Sequence, residues 1–285
     1  MYLCKNDTLI EAYKAPDKKQ LETNISAVKN FAENVQIPVY FALIPGNSSI
    51  NSDILPKNAP NDSQKDVIDY CYLNSGANNI DIYSALAAHK NEYILYRTDH
   101  HWTSLGAYYG YAAIMEKMGM SPTPLSAFSP ETVSNDFYGT VYSKSGISWV
   151  KPDSIDIYAK QEETTIVTNY SSNEPAIGAM YDFSYLSKKD KYSMFMGGNT
   201  PLEVIRTKNT TLPSILILRD SYMDSVTPFL QNNFSEIHIM DLRYYKSRLM
   251  TSTVTDYVRQ HNIDKVLICY GVGTFGTDNN VFLLK

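Results

Sequence analysis

Apolar positions along the chain follow two spacings in turn. Over residues 17–35 they recur at steps of three and four, at Leu21, Ile25, Val28, Phe31 and Val35. That period lays one apolar stripe along a helix. Ile37-Pro38-Val39-Tyr40-Phe41-Ala42-Leu43-Ile44-Pro45 follows as an unbroken apolar run, closed by Pro45-Gly46-Asn47. A strand covered on both faces reads this way, because helices bury both sides of a parallel sheet. Three similar runs lie near the other end, at Ser214–Leu218, Glu236–Met240 and Lys265–Tyr270. A helix is expected after the first of them, through Leu230, and another after the second, over about 250–261.

Between the two ends, the Asn, Ser and Pro of 46–63 predict a loop and Ser63–Gly76 a helix. Ile80-Asp81-Ile82-Tyr83 reads as a short strand or turn, Ser84–Lys90 as a helix and Tyr93–Tyr96 as a strand. A helix then starts at Thr103 or Ser104, either of whose hydroxyls can cap it, and stops at Gly119. Residues 121–212 change character. Gly, Ser, Pro, Tyr and Thr become frequent, short alternating runs appear at Ser154–Tyr158 and Thr164–Thr168, and Met196–Pro201 is turn-like. The expectation is an α/β protein with a central parallel sheet, its first half in 1–120, an irregular β-rich insertion in 121–212 and its second half in 213–285.

The length of 285 residues suits one such domain with its insertion. A net charge of -5 and the lack of a basic run argue against a nucleic-acid partner. The 23 Tyr against 10 Phe fit a surface that grips sugars or peptides, and fit equally a compositional bias of the source. Cys4, Cys71 and Cys269 are far apart and form no CxxC pair, which excludes a zinc knuckle or dithiol motif. No apolar stretch reaches the roughly 20 residues of a membrane span. Met1-Tyr2-Leu3-Cys4-Lys5 leads straight into polar sequence, without a signal peptide. Either a cytoplasmic protein or one trimmed of an N-terminal anchor fits.

Two segments carry candidate chemistry. Asp220-Ser221 stands where a buried strand passes into a helix. Reacting groups of open α/β sheets collect at such carboxyl ends of strands, and backbone N–H groups there can hold an oxyanion. An ordinary helix-capping pair would look the same. Asp99-His100-His101-Trp102 is the second segment, on a loop before a helix. A serine nucleophile needs a base, and the base an orienting acceptor; Asp99 and a neighbouring histidine supply both. The same residues could ligate metal, but the only other histidines are His89, His238 and His261, and the expectation is no metal and no cofactor. A packed polar loop is the plain alternative.

Laid side by side, the two segments are the two ends of the SGNH hydrolase pattern in reversed chain order, so the sheet is read as circularly permuted. The chain resembles the DHHW proteins of Gram-positive bacteria. The resemblance rests on Tyr96-Arg97-Thr98-Asp99-His100-His101-Trp102-Thr103-Ser104-Leu105-Gly106-Ala107-Tyr108, Phe137-Tyr138-Gly139-Thr140, Lys189-Asp190-Lys191-Tyr192, Gly197-Gly198-Asn199, Asp220-Ser221-Tyr222, Pro228-Phe229-Leu230 and Asp241-Leu242-Arg243-Tyr244-Tyr245. That family is similar to the SGNH-like proteins of alginate O-acetylation, which carry Asp-x-His-Trp and a downstream serine. The resemblance implies Ser221 as nucleophile, His101 as base and Asp99 as its orienting acid. It implies an extracytoplasmic, often membrane-anchored protein that moves acetyl groups to a surface polysaccharide, supplied by a membrane-bound O-acyltransferase; a monomer is expected. A carbohydrate acetylesterase and a non-catalytic glycan-binding protein are the alternatives. His100 is expected to touch substrate, and Trp102 to stack on a sugar or pack in the core.

The oxyanion hole departs from the pattern. SGNH hydrolases take a Gly and an Asn from the loops after their second and third strands. Here those loops hold Arg243-Tyr244 and Tyr270-Gly271-Val272-Gly273, with no Asn before Asn279. The Ser221 N–H, Arg243, Tyr244 and Tyr270 are the candidates for that work. Arg243 is alternatively a clamp for an anionic polymer, or an ion-pair partner of Asp241 or Asp220.

Overall fold

The four unbroken apolar runs of the sequence are neighbours in one sheet of the computed structural model, which describes residues 1–171, 174–249 and 253–284. After a short antiparallel pair, Tyr2–Leu3 with Leu9–Ile10, the strands in chain order are β1 (Val39–Ile44), β2 (Asn78–Ile80), β3 (Glu131–Phe137), β4 (Asp153–Ile157), β5 (Ile166–Tyr170), β6 (Ala176–Gly178), β7 (Leu202–Arg206), β8 (Ser214–Arg219), β9 (Glu236–Met240) and β10 (Lys265–Gly271). The main sheet runs β2-β1-β10-β8-β9-β7-β5-β6. The first five of these are parallel, and β7, β5 and β6 each run antiparallel to the strand before. The segment between 121 and 212 therefore widens the sheet beyond β9. Its strands β3 and β4 make a separate antiparallel ribbon.

Two cores flank the sheet because side chains alternate along each strand. Ile215 and Ile217 of β8 face one core, Leu216 and Leu218 the other. The helices used below are α1 (Lys18–Asn34), α2 (Gln64–Asn74), α3 (Ile82–Ala88), α4 (Ser104–Lys117), α5 (Thr140–Ser145), α6 (Val254–Gln260) and α7 (Val272–Thr277). Helices α3 and α4 cover the first core; α1, α2, α6 and α7 cover the second. The predicted helix over 250–261 is seen from Val254; residues 250–252 lie outside the described residues.

Three local expectations change. Ile80-Asp81-Ile82-Tyr83 splits into the end of β2 and the start of α3, with the Asp81 side chain capping Ser84 N–H. Tyr93–Tyr96 is not a strand. Its backbone bonds back onto the next few residues, Thr103 N–H to Ile94 O at 2.9 Å and Tyr96 N–H to His101 O at 3.2 Å, with one bridge from Leu95 to Trp102. The chain closes a tight loop there instead of joining a sheet. After Ser221 the expected helix is a 3-10 turn, Ser221–Ser225, followed by the short Thr227–Leu230 helix.

Candidate active site

The loop closed by Ile94 and Thr103 carries Asp99, His100 and His101. Thr103 caps α4, its Oγ1 accepting from Gly106 N–H at 3.3 Å. Inside the loop, His101 N–H and His101 Nδ1 both meet Asp99 Oδ1, at 2.9 and 2.6 Å. In the middle of the sheet, β8 ends at Arg219 and Ser221 opens the 3-10 turn. His101 Nε2 lies 2.8 Å from Ser221 Oγ. The chain thus brings together two residues 120 positions apart, with hydroxyl, imidazole and carboxylate in the order of contacts that serine chemistry requires.

Residues between 121 and 212 complete the surroundings. Gly139-Thr140 starts α5 directly over Asp99. Thr140 donates its N–H (2.7 Å) and its hydroxyl (3.0 Å) to Asp99 Oδ2. Asp153 of β4, fully buried, accepts from Thr98 N–H (2.8 Å), Thr98 Oγ1 (2.5 Å) and Arg97 Nε (3.1 Å), which fixes the loop from below. The Tyr192 ring stacks on His101 at 3.8 Å and 6°. Its hydroxyl donates to Ser221 O at 3.1 Å and lies 3.1 Å from Ser225 Oγ. Thr140 and Tyr192 fall in stretches that carry the family resemblance, but nothing in their own sequence marks them as partners of Asp99 and His101. Asp153 had no signal at all.

Electrostatics favour an ionised acid. Burial alone would raise Asp99, but the charge on His101, its hydrogen bond, the nearby His100 and the Thr140 N–H outweigh it and hold the carboxyl well below the usual carboxylate range. His100 is pushed down, first by desolvation and then by the charge on His101. His100 is thus neutral beside an ionised Asp99.

The remaining predicted residues are distributed as follows. His100 is 42% exposed, places Nδ1 2.6 Å from Thr140 Oγ1, and lines a cavity of about 300 Å³ with Tyr13, Asn47, Gln64, Tyr222 and Thr274. Trp102 is fully buried and cannot stack on a sugar. Its Nε1 donates to Tyr222 O (2.9 Å) and Ser225 Oγ (3.0 Å), so it ties the histidine loop to the serine turn. Tyr270 is 1% exposed and packs with Phe275 in the second core, closed to any substrate; strand alternation puts it on that face of the sheet. Arg243 is committed to Asp241, by Nε at 2.9 Å and Nη2 at 2.6 Å, and its guanidinium sits 5.5 Å above the Tyr244 ring. The Gly271 N–H is taken by Asp220 Oδ2 at 2.9 Å, and the Tyr222 N–H by Asp220 Oδ1 at 3.1 Å. Asp99, His100 and His101 hold ligand atoms within 4.8 Å of one another. A metal there would have to displace the Thr140 and Ser221 contacts just described.

The fold is SGNH-like, a mostly parallel sheet between two helical layers with the serine and histidine segments meeting over its centre. The family profile described as DHHW protein matches residues 12–240, and the chain belongs to that family. It is similar to a DHHW family protein from Eubacterium siraeum DSM 15702, at 27% identity and a TM-score of 0.83 over 96% of this chain and 90% of that one. Bacillus cereus PatB1, solved with a sulfonyl adduct, superposes with a TM-score of 0.79 at 20% identity, covering 96% of this chain and 95% of that one. The O-acetyltransferase domain of Pseudomonas putida AlgJ gives 0.54 at 13%, over 91% and 84%. Comparison with curated proteins returns no match. No helix among the described residues is long and apolar enough to cross a membrane.

Proposed function

We propose that this protein is a serine-dependent O-acetyltransferase that acts outside the cytoplasm on a bacterial surface polysaccharide. One observation carries the reading: Ser221 Oγ, His101 Nε2, His101 Nδ1 and Asp99 Oδ1 form an unbroken chain of contacts at 2.8 and 2.6 Å. The shared fold of the AlgJ O-acetyltransferase domain supports the reaction class. The sulfonyl adduct of PatB1 supports a nucleophile in this fold.

In the proposed reaction His101 Nε2 takes the Ser221 proton as Oγ attacks the acetyl carbonyl of the donor. Asp99 and the stacked Tyr192 face stabilise the imidazolium that forms. The Ser221 N–H opens its turn, where backbone donors lack intrahelical partners, and it is the donor we assign to the oxyanion. The imidazolium then protonates the departing donor group. An acceptor hydroxyl attacks the acetyl-serine, gives its proton to His101, and leaves with the acetyl group while Ser221 recovers its proton. The donor is an acetylated carrier, delivered by a membrane-bound acyltransferase.

The reading is tested with a fluorophosphonate probe and with p-nitrophenyl acetate plus oligosaccharide acceptors. Ser221 is expected to be labelled, and Ser221→Ala and His101→Ala to abolish both labelling and acetyl transfer while circular dichroism stays unchanged. A folded wild-type sample that neither labels nor releases nitrophenol would leave a non-catalytic glycan binder. Release of acetate alone, with every acceptor tried, would make it an esterase.

A further inference from the structure

The same triad serves transfer and hydrolysis, so something else must favour a sugar over water. His100 is placed to do it. Both imidazoles turn Nδ1 toward Asp99 Oδ1, His101 at 2.6 Å and His100 at 3.6 Å. Their rings lie 3.8 Å apart, tilted by 38°. Two neighbouring rings that turn the same nitrogen toward one carboxylate present their other nitrogens on the side away from it. For His101 that side is Ser221, at 2.8 Å from Nε2.

Thr140 sets which nitrogen of His100 carries the proton. Thr140 Oγ1 is 3.0 Å from Asp99 Oδ2, and an ionised carboxylate only accepts. The single hydroxyl proton is therefore directed at Asp99. The contact of 2.6 Å between Thr140 Oγ1 and His100 Nδ1 must then be donated by His100. The neighbouring negative charge of Asp99 favours a proton at Nδ1 as well. Nε2 of a neutral His100 is left as an acceptor, and no bond to it is made among the described residues.

Resting on the acyl-transfer reading above, we propose that His100 Nε2 binds a second hydroxyl of the acceptor sugar, next to the one that reacts, and that Thr140 is the positioning residue that keeps Nε2 unprotonated. The reacting hydroxyl oxygen forms its bond to the acetyl carbon and passes its proton to His101 Nε2. The bond from that carbon to Ser221 Oγ breaks, and Oγ takes the proton back. The adjacent hydroxyl only donates a hydrogen bond to His100. Water attacking the same ester has no tethered second hydroxyl and gains nothing from His100. A vicinal diol is thus the acceptor class this pair selects.

The test measures a ratio. The acetyl-enzyme is formed with p-nitrophenyl acetate, and acetyl transfer to cis-cyclohexane-1,2-diol, counted per hydroxyl, is compared with transfer to cyclohexanol. One added hydrogen bond, worth about 1 kcal/mol, predicts about a fivefold preference for the diol. His100→Phe keeps a ring over His101 but removes the acceptor, and should bring the ratio to about one. Thr140→Val keeps the shape and the N–H bond to Asp99, and should lower the ratio; Thr140→Ser should restore it. A merely structural disturbance of Asp99 slows both alcohols together and leaves the ratio alone. The ¹⁵N shifts of His100 should show the proton on Nδ1 in the wild type. An equal rate with the two alcohols, a ratio unmoved by His100→Phe, or a proton on Nε2 each overturns the proposal while acyl transfer by Ser221 stands. Failure to form the acetyl-enzyme at all overturns the acyl-transfer reading itself, and this inference with it.

Discussion

Replacing Gly139 by alanine asks whether Asp99 must be held from the side away from His101. The backbone at Gly139 has φ -88° and ψ -162°, extended and open to any residue, so alanine brings no conformational strain of its own. The added Cβ would stand 2.6 Å from Asp99 Cγ and nearer still to its Cβ and Oδ2. Carbon atoms rest at about 3.5 Å or more, so the carboxylate must retreat by about 1 Å. That movement breaks the contacts of 2.6 Å to His101 Nδ1 and 2.7 Å from Thr140 N–H. A misplacement of about 1 Å in a catalytic group costs about 10²-fold, and loss of the orienting acid of a serine triad about 10⁴-fold in kcat. Gly139→Ala should fall between these limits. Overpacking at one site costs about 1–3 kcal/mol, less than the usual stability of a domain, so the variant should still fold. The assay is steady-state turnover of p-nitrophenyl acetate beside a thermal melt and fluorophosphonate labelling of Ser221. Turnover within threefold of wild type, in a folded Gly139→Ala protein, would refute the claim that this contact orients the triad.

Other changes probe the frame of the site. Glu203 of β7 is fully buried; burial pushes its carboxyl up to about 7, against the opposing charge of Arg219. Between about pH 4.3, where a free glutamate ionises, and about pH 7, the unfolded chain gives up this proton and the folded one keeps it. Stability from this group is therefore complete below that window and declines through it, by on the order of 3 kcal/mol. Glu203→Gln should flatten the decline in urea-unfolding free energy from pH 5 to pH 8, and identical pH slopes in the two proteins would contradict this. Arg219 is buried with Asp224 at 3.0 Å and Asp241 at 3.9 Å, so Arg219→Met should cost about 3–5 kcal/mol by stranding buried carboxylates; a loss below 1 kcal/mol in chemical unfolding would show the cluster to be dispensable. Trp102→Phe removes the two hydrogen bonds from Nε1 to the serine turn and should cost about 1–3 kcal/mol. Its turnover should drop as well, and unchanged melting and turnover would separate Trp102 from the positioning of Ser221.

The residues that the sequence analysis singled out meet unequal fates, and the difference is physical. Asp99 and His101 are two positions apart on one loop, and their contact is local. Ser221 was marked by its place after a buried strand, a position that strand geometry exposes at the sheet's carboxyl end. Trp102 was left between a sugar and the core, and Tyr270 was offered to the oxyanion by its place after a strand; neither residue type nor chain position tells a buried ring from an open one. Tyr93–Tyr96 has strand-forming residues, yet its hydrogen bonds go to Ile94–Thr103 loop closure.

The order of apolar spacings determined the strands, the helices that cover them and the layering of the sheet, because local period decides which faces avoid water. The capping hydroxyl of Thr103 and the loop chemistry of Asp99 and His101 are likewise local and readable. Only the tertiary structure decided the rest. It set Ser221 against His101 across 120 residues, laid Tyr192 on the imidazole, and brought Gly139 and Thr140 over Asp99 with Asp153 beneath the loop. Those contacts come from segments whose own spacing reports only their local burial, and a hydrogen bond between distant segments leaves no period in either of them.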